Sequence, residues 1–117
     1  MPVAELNEVF ESVAKYFSLL SDPTRLRIMH SICQDEKSVN AIADEVGATQ
    51  PNVSRHLGML YQAGVLARRR EGSQMFYRVS DSAFTEICRT VCIRVAGELE
   101  GSTALKRGFR NVIDVLG

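Results

Sequence analysis

The chain has 117 residues, 45% of them hydrophobic, with 14 Lys and Arg against 14 Asp and Glu, three Cys and no Trp. That length suits one domain with one modest core, without a deep cleft between domains, and the apolar content excludes wholesale disorder. No apolar run nears the ~20 residues of a membrane span. The Met1–Glu5 segment lacks a signal peptide's basic and apolar regions, and an odd, small cysteine count is no disulfide scaffold; a reducing, cytoplasmic setting is expected.

A first helix is predicted from Ala4 to Leu20, because Leu6, Val9, Phe10, Val13 and Phe17 recur at offsets of three and four. Ser21-Asp22-Pro23 breaks that pattern and restarts it: Asp22 can cap a second helix, and Pro23 costs nothing at its first position. The second helix carries Leu26, Ile28, Met29, Ile32 and Cys33, then gives way to Gln34-Asp35-Glu36-Lys37, read as a solvated loop. Ser38 caps a short third helix with Val39, Ile42, Ala43 and Val46 apolar, and Gly47 ends it. Thr49 caps a fourth, with Pro51 in its first turn, then Val53, Leu57, Leu60 and Tyr61 before Gly64.

Two β-prone runs follow, Val65–Arg70 and Met75–Val79, with Glu71-Gly72-Ser73-Gln74 as the hairpin connection. Ser80 or Asp81 caps a fifth helix carrying Phe84, Ile87, Cys88, Val91 and Val95. A last amphipathic stretch, Leu105, Phe109, Val112, Ile113 and Leu116, reads as a short C-terminal helix. The fold class is therefore mainly α with a small β-hairpin, in the order ααααββα plus that helix. One main domain is expected over 1–100, with the amphipathic helix or tail over 101–117.

Two short helices joined by Gly47-Ala48-Thr49, the second followed by a hairpin, form a winged helix-turn-helix pattern. Such a unit sets its second helix in the major groove. The residues it would present are Thr49, Gln50, Asn52, Ser54, Arg55 and His56. Gln and Asn match adenine edges, Arg matches guanine or phosphate, and Ser and Thr match phosphate oxygens. Val53, Leu57 and Leu60 form the apolar back of the same helix.

The charge is segregated in the same sense. Between Val46 and Ser80 lie five arginines and one acid, and the rest of the chain holds nine bases against thirteen acids. Arg68, Arg69 and Arg70, with Gln74 beyond the turn, are expected to lie along a phosphate backbone or reach an adjacent minor groove.

The run Leu19-Leu20-Ser21-Asp22-Pro23-Thr24-Arg25-Leu26-Arg27-Ile28 resembles the opening of the second helix in the ArsR/SmtB family of bacterial repressors. Gln50–Leu60 followed by Ala63-Gly64-Val65-Leu66 resembles that family's recognition helix and the start of its wing. Arg70-Glu71-Gly72 and Phe76-Tyr77-Arg78-Val79 resemble the wing itself, and the likeness spans roughly residues 5 to 97. The resemblance implies a homodimeric repressor of double-stranded operator DNA, released when an inducer binds or a thiol is oxidised. The dimer has separate support: Leu6, Phe10, Phe17, Leu19 and Leu20 cannot all face one small core, and the fifth helix has a similar surplus. Pairing through the first and fifth helices would set two reading heads about 34–36 Å apart.

The family's metal sites provide a check. Its Cys-x-Cys-Asp pattern in the third helix meets Ser38, Val39, Asn40 and Ala41 here; its zinc pattern along the fifth helix meets Asp81, Ala83, Arg94 and Gly97. Neither set supplies the ligands. The remaining candidates are Cys33, Cys88 and Cys92. Cys88 and Cys92, four apart on a helix, have Cβ atoms about 5–6 Å apart, too far for an unstrained disulfide but suitable for sharing a soft ion. Arg89 is expected to favour the thiolate.

Three readings stay open: As(III) or another soft metal ion bound by two or three thiolates, a redox or persulfide switch, and purely structural cysteines. No cofactor is required. A thiol oxidoreductase would need Cys-x-x-Cys, a phosphate-binding loop would need its glycines, and two histidines support neither a zinc-protease motif nor a Ser-His-Asp set. No catalytic residue is assigned. A protein-binding winged helix without DNA affinity is the remaining alternative, and it leaves Arg55 and the triple arginine unexplained.

Overall fold

The computed structural model describes residues 2–98 together with Arg107 and Asn111. Its helices are α1 (Val3–Leu19), α2 (Pro23–Ile32), α3 (Val39–Val46), α4 (Gln50–Gln62) and α5 (Ser82–Glu98); its strands are β1 (Lys37–Ser38), β2 (Leu66–Glu71) and β3 (Gln74–Val79). The expected C-terminal helix, with Leu105, Phe109, Val112, Ile113 and Leu116, lies outside the described residues, as does any boundary near residue 100.

Local chemistry sets the helix starts. The Asp22 carboxylate accepts from Arg25 N at 3.0 Å, Ser38 Oγ from Ala41 N at 3.2 Å, and Thr49 Oγ1 from Asn52 N at 3.4 Å. Each side chain satisfies one of the open N–H groups of a first helical turn. Before α5, Asp81 rather than Ser80 does this, accepting from Ala83 N at 2.9 Å. Ser80 instead donates to the carbonyls of Gly64 and Val65, fastening the start of α5 to the start of the wing.

The sheet has the order β1-β3-β2 and is antiparallel throughout. Here the structure differs from the sequence reading, which made Lys37 the end of a solvated loop. Lys37 and Ser38 pair with Tyr77 and Phe76 as a third strand. Two residues show no periodicity, and their partner strand lies far along the chain, so the pairing leaves no local signal. The hairpin is also tighter than expected, with Glu71 opposite Gln74 and only Gly72 and Ser73 between them.

The core lies between α2, α3, α4 and the sheet. Ile28, Ile32, Ile42, Val53, Leu57, Leu60 and Val65 are fully buried, and Met29, Ala43, Leu66 and Tyr77 nearly so. Each large aliphatic side chain contributes about 1.5–3 kcal/mol by leaving water, so this cluster fixes α4 against its neighbours. Helices α1 and α5 bury no residue in the single chain. On α1, Val9, Phe10, Val13, Tyr16 and Phe17 are exposed, as are Ile87, Val91, Ile93 and Val95 on α5.

Candidate nucleic-acid interface and thiol cavity

Packing of Val53, Leu57 and Leu60 into the core turns the other side of α4 outward. Thr49, Gln50, Ser54 and Arg55 are exposed there, and Asn52 is half-buried. The Arg55 guanidinium donates to Asn52 Oδ1 at 3.0 Å, one turn earlier on the same helix. Five of the six expected reading residues thus share one polar surface.

His56 does not. It is 5% exposed and belongs to the inner side of α4, where Arg25 Nη1 donates to its Nδ1 at 3.2 Å. The physical reason is spacing: His56 follows Val53 by three and precedes Leu60 by four, which places it on the apolar stripe. Burial first, and the Arg55 guanidinium next, hold its imidazole below the ordinary value. Its ring is turned into the fold, between Arg25 and Arg55, and offers no edge to the outer surface of α4.

The three wing arginines separate by the alternation of a strand. Arg68 lies over the Tyr61 ring, 3.9 Å from its centroid, and stays exposed beside it. Arg69, on the opposite face, pairs with Glu36 and Glu71 at 2.7 Å each and lies over Phe76. Its charge is already matched, so it is not the free phosphate contact the sequence reading made it. Arg70 is exposed and forms no ion pair with any described residue, and the same holds for Arg78, which sequence reasoning counted as charge without giving it a place in the site. Gln74 is exposed next to the turn.

A second feature lies behind the reading head. A cavity of ≈ 420 Å³ opens between the end of α1, α2 and α5, and Cys33, Cys88 and Cys92 all line it. Phe17, Leu20, Leu26, Met29, Ile87 and Val91 make most of its wall, and Arg27 and His30 also border it. All three cysteines are half-buried. Burial pushes all three thiols up, and Cys88 is raised further by Cys92 and Cys33. The lowering influence expected from Arg89 does not act on any of the three. Among the described residues no group of three or more His, Cys, Asp or Glu side chains comes together to hold a metal ion, so three thiols share one cavity without being assembled as a ligand set. His30 is half-buried, and its Nε2 has no hydrogen-bond partner among the described residues.

Comparison with known proteins decides the family. The family model described as bacterial regulatory protein, arsR family, matches residues 22–68, from the cap of α2 into β2. The HTH-type transcriptional regulator MJ1325 of Methanocaldococcus jannaschii is 36% identical over 85 residues, 72% of this chain and 96% of its own length. The chain belongs to the ArsR family. The HTH-type transcriptional regulator KmtR of Mycobacterium tuberculosis is 39% identical over 69 residues, 59% of this chain, and the match spans only 53% of that regulator. A probable mercury resistance operon repressor of Streptomyces lividans is 32% identical over 77 residues, 66% of this chain and 62% of its own length. Among solved structures, the homodimeric winged helix-turn-helix DNA-binding domain Mb0332 of Mycobacterium bovis superposes with a TM-score of 0.72 at 27% identity, covering 82% of this chain and 89% of that one. The winged helix-turn-helix class is thus that of a solved relative as well as of the sequence pattern. Among the described residues no helix is long and apolar enough to cross a membrane.

Proposed function

We propose that the protein is a homodimeric, sequence-specific repressor of double-stranded operator DNA, released when a thiol-directed inducer reaches Cys33, Cys88 and Cys92. The observation that carries this reading is the double role of α2. It borders the thiol cavity with Leu26, Arg27, Met29 and His30, and it packs on the recognition helix through Ile28 and Ile32. A change in the cavity therefore meets the element on which α4 rests. The exposed row Thr49, Gln50, Asn52, Ser54 and Arg55, with Arg68, Arg70 and Gln74 of the wing, supplies the DNA contacts. The exposed apolar faces of α1 and α5 supply the dimer contact, and a solved relative of the same fold is homodimeric.

The inducer this site suits first is a soft metal or metalloid ion such as As(III). Sulfur donors select soft ions, no carboxylate lines the cavity among the described residues, and a relative is named for mercury resistance. Thiol oxidation or persulfide formation is the second reading. It is favoured by the absence of a three-ligand cluster among the described residues and by the nearness of Cys33, just past the end of α2, to Cys88 on α5. The chemistry sits with a cytoplasmic regulator, where thiols stay reduced until challenged.

Intact mass measurement of the protein after arsenite, cadmium or a persulfide, paired with gel-shift assays on operator DNA, tests both halves. One bound ion with loss of DNA binding supports the first reading; added sulfur, or loss of two protons with loss of DNA binding, supports the second. Cys33→Ser, Cys88→Ser and Cys92→Ser variants that still bind DNA and still release with every agent would overturn the assignment of the sensor. Binding to DNA that does not weaken as salt rises would overturn the repressor.

A further inference from the structure

We propose that Arg25 positions Arg55 for DNA by fixing the tautomer of the buried His56 between them. The proposal rests on the reading of α4 as the DNA-facing helix. Arg25 is anchored at the end of α1, where its Nε donates to the Leu19 carbonyl and its Nη2 to the Ser18 carbonyl at 3.3 Å. Both are among the last carbonyls of α1, that of Ser18 accepting from Ser21 N and Oγ as well, and the negative end of the helix dipole favours the cation there. The remaining arm of the guanidinium, Nη1, donates to His56 Nδ1 at 3.2 Å. On the other edge of the ring, His56 Nε2 lies 3.4 Å from Arg55 Nη2.

These two contacts cannot both be hydrogen bonds. A guanidinium only donates, and a neutral imidazole carries one acceptor nitrogen. Arg25 makes the shorter contact and is held by two carbonyls, so Nδ1 accepts and Nε2 keeps the hydrogen. Arg55 then meets an N–H rather than an acceptor on its inner side. Its inner surface offers no hydrogen bond, Asn52 Oδ1 holds one arm at 3.0 Å, and the other N–H groups are left to solvent or DNA. If Arg25 withdraws, the ring is free to take the other tautomer. Nε2 becomes an acceptor and draws the Arg55 guanidinium inward, away from the groove.

The anchor of Arg25 adjoins the sensor. Phe17, Leu20 and Ser21, around the carbonyls that hold it, line the thiol cavity. Movement of the end of α1 would therefore be converted into loss of one DNA contact without deforming α4. Arg25 and His56 are positioning residues in this scheme, and neither touches DNA.

Two measurements on the full-length chain test it. The first is the nitrogen-15 spectrum of the His56 ring in the free protein: the Nε2–H tautomer is expected in the native chain and the Nδ1–H tautomer in Arg25→Ala. The second is a double-mutant cycle on operator affinity: Arg25→Ala is expected to lose about tenfold, the scale of one lost contact, in the native background and nothing further in an Arg55→Ala background. Arg25→Gln, which keeps most of the stem, serves if the alanine variant unfolds. A native Nδ1–H ring, or a tenfold loss that persists without Arg55, overturns the relay. If Arg55→Ala leaves operator binding intact, the DNA-facing assignment of α4 fails and the relay loses its use. The tautomer of the free protein separates that failure from a failure of the relay alone.

Discussion

The Arg69 guanidinium lies 2.7 Å from the Glu36 carboxylate, and this ion pair ties the middle of the wing to the segment that enters β1. Glu71 takes a second arm of the same guanidinium at 2.7 Å, and Phe76 lies beneath it. The charge that looks most central in the triple arginine is therefore spent on the wing itself. Its neighbours in sequence, Arg68 and Arg70, lie on the other face of the strand and keep their charge available.

That division sets the order of effects on DNA. Arg70→Ala is expected to weaken operator binding and to lower the slope of log affinity against log salt by about one, as for one lost phosphate contact. Arg69→Ala is expected to leave that slope nearly unchanged. Fluorescence anisotropy across a salt series checks the pair, and equal slope changes for the two variants would contradict the assignment.

Stability depends on pH through His56. Burial, and after it the Arg55 charge, lowers its folded value, with Asp22 opposing and Arg25 assisting. As pH falls through the ordinary imidazole value of 6.5, the unfolded chain takes up the proton before the folded chain does. The contribution of the neutral ring is thus fully present above that value and is lost on the way down to the folded value. The melting temperature should fall as the solution is acidified below the ordinary value, and His56→Asn should flatten that limb. A variant as acid-sensitive as the native chain would show that another group is responsible.

On α1, Phe10 is 60% exposed within an apolar row that the single chain leaves uncovered. Phe10→Glu is expected to give monomers in sedimentation velocity with the helical circular dichroism of the core kept. Operator affinity should then fall by about a hundredfold or more, because two half-sites are no longer engaged together. A Phe10→Glu protein that stays dimeric would place the dimer contact elsewhere.

Gly47 ends α3 at φ 70°, and its N–H donates to the Ala43 carbonyl at 3.0 Å. A Cβ built there meets no atom within 4 Å, so the cost of Gly47→Ala is conformational alone, about 1–2 kcal/mol. Denaturant unfolding should show that loss with an unchanged slope. Gly47→Asn should lose less, since Asn tolerates the left-handed region better. A neutral Gly47→Ala would mean that the turn adjusts.

Most of the fold was legible because it is written locally. Asp22, Ser38 and Thr49 cap the helices they were expected to cap, and Gly47 closes α3. The inward place of His56 was also present in the spacing Val53, His56, Leu57, Leu60, although its polar ring drew it to the wrong face. What could not be read depends on chain segments that meet only in three dimensions. The β1 pairing, the Glu36 partner of Arg69 and the Arg25 contact to His56 all join distant stretches. The three cysteines were individually visible; their meeting in one cavity requires α5 to lie beside the end of α2.

The burial pattern has a consequence for how such a protein can change. The fully buried side chains all belong to α2, α3, α4 and the start of the wing, whereas α1 and α5 contribute none. Folding free energy is thus concentrated in the half that meets DNA. Substitutions along α5 and around the cysteines meet little resistance from this core, so under the function proposed above the chemical trigger can be exchanged for another while the reading head stays folded.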